Sequence, residues 1–234
     1  MHLSNTMALH AILTTAASAI PQLIDVSSST TALPGTVNAT DPTSLGNYYN
    51  YWSVLNNGST YDLTRSDRMP VTTPKHLPMI GSRKNAIIEP SRSAFVIVDM
   101  QNFFLHPQLS PKAVKGRNAV QPTLNLIDAF RDEGIKILWT NWGLDNFDLV
   151  TIPPSFLEGF SDGGTQATSF GSDMGTLTAE NGSVIEVGRK LTRGSWNGHP
   201  YGPLGTAMDE GIANGTDLLF YKSERCLLPS RFKT

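Results

Sequence analysis

The sequence predicts an α/β protein built on a parallel sheet, and three observations carry that expectation. Residues 94–98, Ala-Phe-Val-Ile-Val, are apolar without alternation and stop at Asp99, as a strand buried on both faces does in a sheet covered by helices. A helical period follows at residues 118–133 and a second apolar run at 136–143, which is the spacing of a strand–helix–strand crossover. A third run, Asp217-Leu218-Leu219-Phe220-Tyr221-Lys222, again ends in a charged group.

Ahead of these elements, Met7-Ala8-Leu9-His10-Ala11-Ile12-Leu13 opens a short apolar leader, with Ala17-Ser18-Ala19 offering the small residues of a cleavage site. It is too short to span a bilayer and lacks the usual leading Lys or Arg, so residues 1–20 read as a signal peptide, or else as an amphiphilic leader that stays on the chain. Residues 21–90 are expected to be a polar, partly disordered extension. Pro70, Pro74, Pro78 and Pro90 cut its second half into extended pieces, and Tyr48-Tyr49-Asn50-Tyr51-Trp52 is suited to pin it to a domain or to stack on a ligand. Asn38, Asn57, Asn181 and Asn214 each begin an N-glycosylation acceptor, which supports secretion; a cytoplasmic chain would use the same residues as turns.

The first strand places Asp99 where the chain leaves the sheet. In open α/β sheets ligands bind at the carboxyl ends of the strands, so a carboxylate there can orient a partner or take a proton. An Asp that simply caps the next turn fits the same position. His106, in the following loop, can contact a substrate or lie solvated. In the helix, Val120, Leu124, Ile127 and Phe130 keep the three- and four-residue spacing of a buried face, with Pro122 in the first turn and Gly134 at the stop. Trp142 closes the second strand, on the same edge as Asp99. Residues 159–188 are Gly-rich and polar, as in a surface insertion, and residues 204–213 suit a short helix ending at Gly215.

Phe95-Val96-Ile97-Val98-Asp99-Met100-Gln101-Asn102-Phe103-Phe104 resembles the first strand of the isochorismatase-like cysteine hydrolases. The resemblance implies a three-layer αβα, Rossmann-like parallel sheet and hydrolysis of an amide, or in one branch a vinyl ether, on a small molecule. It makes Asp99 the counterpart of the family's proton-shuttling Asp and Lys222 that of its Lys, with Phe103 and Trp142 placed to meet substrate. An adjacent carboxylate favours protonated Lys, and such a pair can steady a thiolate or manage its proton. A structural salt bridge is the plain alternative.

The third role is unfilled. The family's Cys follows a further helix and strand, roughly 25 or more residues past the lysine by ordinary element lengths. Cys226, the sole cysteine, comes four residues after Lys222, on the wrong side of those elements to take the family's Cys position. Residues 91–234 are therefore expected to form an incomplete hydrolase domain, truncated after the third strand and inactive, with a non-catalytic secreted binding or interaction protein as the alternative. Lacking later strands, residues 94–98 would be a bare apolar edge.

The totals exclude other classes. Lys plus Arg is 18 against 20 Asp plus Glu, so the net charge of −2 gives no attraction for nucleic acid. One cysteine excludes a disulfide framework. No phosphate-cradling Gly motif occurs, and Asp145 and Asp148 have no His between Trp142 and Trp196 to complete a metal cluster. A small-molecule substrate is expected, with no cofactor, metal or membrane, and a homo-oligomer is left open.

Overall fold

The structure is a computed structural model that describes residues 24–25, 43–46 and 50–222. The leader, Asn38, Tyr48, Tyr49 and Cys226 lie outside the described residues. Two compact units are present, one within residues 18–94 together with 128–136, the other comprising residues 95–127 and those from 137 onward.

The first unit holds β1 (Ile24–Asp25), β2 (Thr43–Gly46), β3 (Tyr51–Leu55), β4 (Thr60–Asp62), β5 (Lys75–Pro78) and β6 (Asn85–Ile88). They form one six-stranded sheet in the order β1-β5-β6-β4-β3-β2, in which only the β4–β6 pairing is parallel. Residues 50–90 are thus more ordered than the extension expected from their composition. Their prolines fall at strand ends and loops, where they cost no ladder hydrogen bond. Glu89, 3% exposed, ties the loop before β5 to the end of β6 by accepting from the Thr72 and Thr73 amides and the Ser91 hydroxyl. Lys75, 6% exposed, pairs with Glu133 at 3.1 Å.

The chain then runs through β7 (Ala94–Val98), α1 (Asn102–Leu105), α2 (Val114–Asn118), α3 (Val120–Asp132) and β8 (Lys136–Trp142). The single helix expected at 118–133 starts a turn earlier and breaks at Ala119, so α2 and α3 are separate; Gly134, at φ +71°, ends it as expected. After β8 come α4 (Asn146–Thr151), α5 (Pro154–Gly159), a hairpin of β9 (Thr176–Thr178) and β10 (Val184–Glu186), α6 (Pro203–Asn214) and β11 (Asp217–Lys222). The stretch 159–188 is not wholly superficial, since Phe170 and Val187 are buried. Helix α6 stops at Gly215, whose left-handed backbone (φ +73°) returns the chain to the sheet.

The second unit's central sheet has three strands in the order β11-β8-β7, with β11 and β8 parallel. Ile97, Ile137, Trp139, Asn141 and Asp217 lie on its covered face, where Trp139 Nε1 donates to Asp217 at 2.8 Å. The other face carries Val96, Val98, Leu218 and Phe220, each between 48% and 51% exposed. The expectation that 94–98 is buried on both faces is therefore wrong: among the described residues β7 is an edge strand, and helices cover only one of its sides. An unbroken apolar run records what each position tolerates, not which neighbours are present.

Candidate active site

Three strand ends assemble the site. The Asp99 amide donates to the Thr140 carbonyl at 3.1 Å, the last link between β7 and β8. Asp99 then turns into left-handed backbone, φ +56°, which Asp tolerates better than most residues. Lys222 ends β11 beside Trp142, and its Nζ donates to Asp99 Oδ2. The Nζ also sits 4.8 Å from the centre of the Trp142 ring, so the lysine spans the central strand with its charge over an aromatic face.

Side-chain exposure is 17% for Asp99 and 26% for Lys222. Burial pushes the Asp99 carboxyl above its ordinary value, against the lowering pull of the Lys222 hydrogen bond and charge. Asp99 Oδ1 is buried and has no partner. One oxygen is thus held by lysine, and the other is enclosed by the surrounding side chains without a donor.

Trp142 and Phe103 belong to one apolar cluster. Trp142, Leu144, Ile152, Phe170 and Leu191 form its buried centre, with Phe103, Phe160 and neighbours packed against it. Phe160 stacks on Phe170 at 4.2 Å, and both approach the Trp142 ring, at 5.4 and 5.1 Å.

Three supporting residues escaped sequence reasoning. Gln101, fully buried, accepts from the Trp142 amide at 2.9 Å and donates to the Trp142 and Gly198 carbonyls at 2.8 and 2.6 Å. Asn197 clamps the loop before α6 through the Leu191 amide and the Val187 and Arg189 carbonyls. Lys190, 7% exposed, donates to the Phe160 and Thr168 carbonyls and lies 5.6 Å from the Phe103 ring centre; burial lowers its pKa. Gln101 had a visible signal, its place two residues after Asp99, but its partners lie 41 and 97 residues away.

Other candidates take structural places. Asp145 and Asp148 form a reciprocal capping box at the start of α4, which explains two acids there without a metal. Among the described residues no cluster of three His, Cys, Asp or Glu side chains is arranged to hold one. His106 packs edge-on against Trp196 and Tyr201, at 5.1 and 6.1 Å, so it is not a solvated loop histidine. Asn57, Asn181 and Asn214 are exposed. No helix among the described residues is long and apolar enough to cross a membrane.

Comparison with known proteins agrees with the resemblance seen in the sequence. Residues 93–181 match the family model described as Isochorismatase domain. The matched segment contains Asp99, Phe103 and Trp142 but stops short of Lys222. No curated protein and no solved structure gives a match.

Proposed function

From a chain whose residues 93–181 are isochorismatase-like, we propose a hydrolase framework for small amides, with Asp99 and Lys222 as its proton-handling pair and Trp142 and Phe103 as the wall against which substrate rests. The observation that carries this reading is the pair itself: Lys222 holds one Asp99 oxygen, and the other is buried and unpartnered beside an aromatic cluster. In a complete site of this kind a thiolate attacks the amide carbonyl and Asp99 gives its proton to the departing amine. Water then cleaves the thioester while Asp99 takes the proton back, with Lys222 steadying the carboxylate. The sequence offers one thiol, Cys226, four residues beyond Lys222, and we assign it no role. The proposal is therefore a site that binds an amide and turns it over slowly or not at all.

The test is ammonia release from benzamide and nicotinamide by the full chain, read beside binding of the same amides by calorimetry. Saturable binding, weakened at least tenfold in Asp99→Asn or Lys222→Met, is expected together with release at the buffer rate. Ammonia release that Asp99→Asn abolishes and Cys226→Ser leaves intact would overturn the inactive assignment. Absence of any binding would overturn the amide reading. A secreted, non-catalytic binding protein is favoured by one observation, the exposure of Asn57, Asn181 and Asn214. An endoglycosidase-sensitive mass on protein made in a secreting host is its expected signature.

A further inference from the structure

Within the second unit, a cavity of about 460 Å³ opens between α1, the loop before α6 and the first turns of α6. None of Asp99, Phe103, Trp142 or Lys222 lines it. Its frame is tied to the segment that follows Asp99. The Tyr201 amide donates to the Met100 carbonyl and the Asn102 amide to the His199 carbonyl, both at 2.8 Å. Asn102 Nδ2 donates to the Trp196 carbonyl, also at 2.8 Å. On the α6 side, the His199 ring lies so close to Gly205 that a Cβ there would come within 2.7 Å of it. Walls held in this way need little ordering when a ligand arrives.

The polar groups on these walls are largely uncommitted. Asn102 is 5% exposed, yet its Oδ1 accepts no hydrogen bond from the described residues and is not sealed off, so it meets the cavity. The His106 ring stands edge-on to Trp196 and Tyr201, with its Nδ1 enclosed and unpartnered. Burial and the Arg117 charge lower the His106 pKa, which favours the neutral ring. Its one proton then belongs on Nε2, where an acceptor can reach it. From α6 come the Thr206 hydroxyl and the Asp209 carboxylate, both exposed. His199 Nε2 engages Asp209 Oδ1 at 3.2 Å and leaves the second oxygen open.

These groups discriminate between classes of ligand. An anion would face the Asp209 carboxylate and the Asn102 carbonyl. A cation finds one acid on the walls, already engaged by His199, and no other among the described residues. An apolar body would leave the acceptors unmet. A hydroxyl both donates and accepts, so a ring bearing several can donate to Asn102 and Asp209 and accept from His106. The Tyr201 and Thr206 hydroxyls can play either part, and the Trp196 and Tyr201 rings offer apolar surface to C–H groups.

We propose that this cavity binds a neutral pyranose sugar, with its hydroxyls on Asn102 Oδ1, His106 Nε2 and the Asp209 carboxylate and its C–H face against Trp196. The site does not draw on the function assigned to the Asp99–Lys222 pair.

The test measures binding of the methyl glycosides of glucose, galactose and mannose to the full chain by calorimetry, beside tetrahydropyran, the bare ring. At least one glycoside binds saturably at tens of millimolar or below, and about tenfold or more tightly than tetrahydropyran, as two added hydrogen bonds require. Nitrogen-labelled histidine reports the place: the His106 Nε2 resonance, assigned with His106→Gln, shifts with that glycoside. Thr206→Val and Asp209→Asn, both at exposed positions of α6, each weaken it about threefold or more. No saturable binding by any of the three glycosides, equal affinity for the bare ring, an unmoved His106 resonance, or full affinity in both variants would each overturn the proposal. The comparison with tetrahydropyran uses unaltered protein, so a variant that fails to fold does not blunt it.

Discussion

Asp99 combines a demanding backbone with a demanding environment. Its left-handed φ favours Asp, Asn or Gly, so Asp99→Asn keeps the turn, whereas Asp99→Val adds strain of about 1–2 kcal/mol. A difference of that size between the two variants in urea denaturation is expected. Acidity makes a second distinction. Burial raises the Asp99 pKa in the folded state, so the protonated form is the one folding favours. The contribution is full below the ordinary carboxylate range and is lost as pH rises through the raised value. The melting temperature of the native protein minus that of Asp99→Asn should fall as pH is taken from 3.5 to 7. A difference that grows instead would show that the lysine's pull outweighs burial. Asp99 and Lys222 were legible from the sequence because each terminates an apolar run, and strand ends share an edge. Gln101 was not, because a buried amide is defined by carbonyls that arrive from β8 and the loop before α6.

At the level of elements, two short features decide how the site's upper edge is built. Asp145 caps α4 by accepting from the Phe147 and Asp148 amides, both at 2.9 Å. Asp145→Ala should cost about 1 kcal/mol, and Asp145→Asn much less, in chemical denaturation. Gly143 follows β8, and a Cβ there would lie 2.0 Å from the Tyr221 ring. Gly143→Ala must move that ring at the end of β11, with an expected loss of about 1–3 kcal/mol. The existence of α3, α6, β8 and β11 followed from period and punctuation. The break at Ala119 did not, since neither Gly nor Pro stands there to mark it. The uncovered second face of β7 was equally hidden, because what packs on a strand is a property of the whole sheet.

On the scale of the molecule, the unexpected element is the sheet formed before residue 90. Its strands are two to five residues long and pair out of chain order, so no local period announces them. Within the second unit, the open face with Val96, Val98, Leu218 and Phe220 is an exposed apolar surface beside an edge that no strand among the described residues pairs. Replacing Val98 and Phe220 by Thr keeps strand propensity and removes apolar area. Sedimentation velocity should show less concentration-dependent association in the double variant, with stability within about 0.5 kcal/mol per site of the parent. Unchanged association would mean that this face is not what brings copies together.

The Lys222–Asp99 contact joins residues 123 positions apart, across a strand that belongs to neither. Such a contact can form only after β7 and β11 have both docked on β8, because closing so long a loop is repaid only by the packing around it. The polar heart of the site is then among the last things the folding chain acquires. Mutations at the pair should accelerate unfolding and leave the refolding rate nearly untouched, so the groups that give the site its chemistry also record when the sheet is finished.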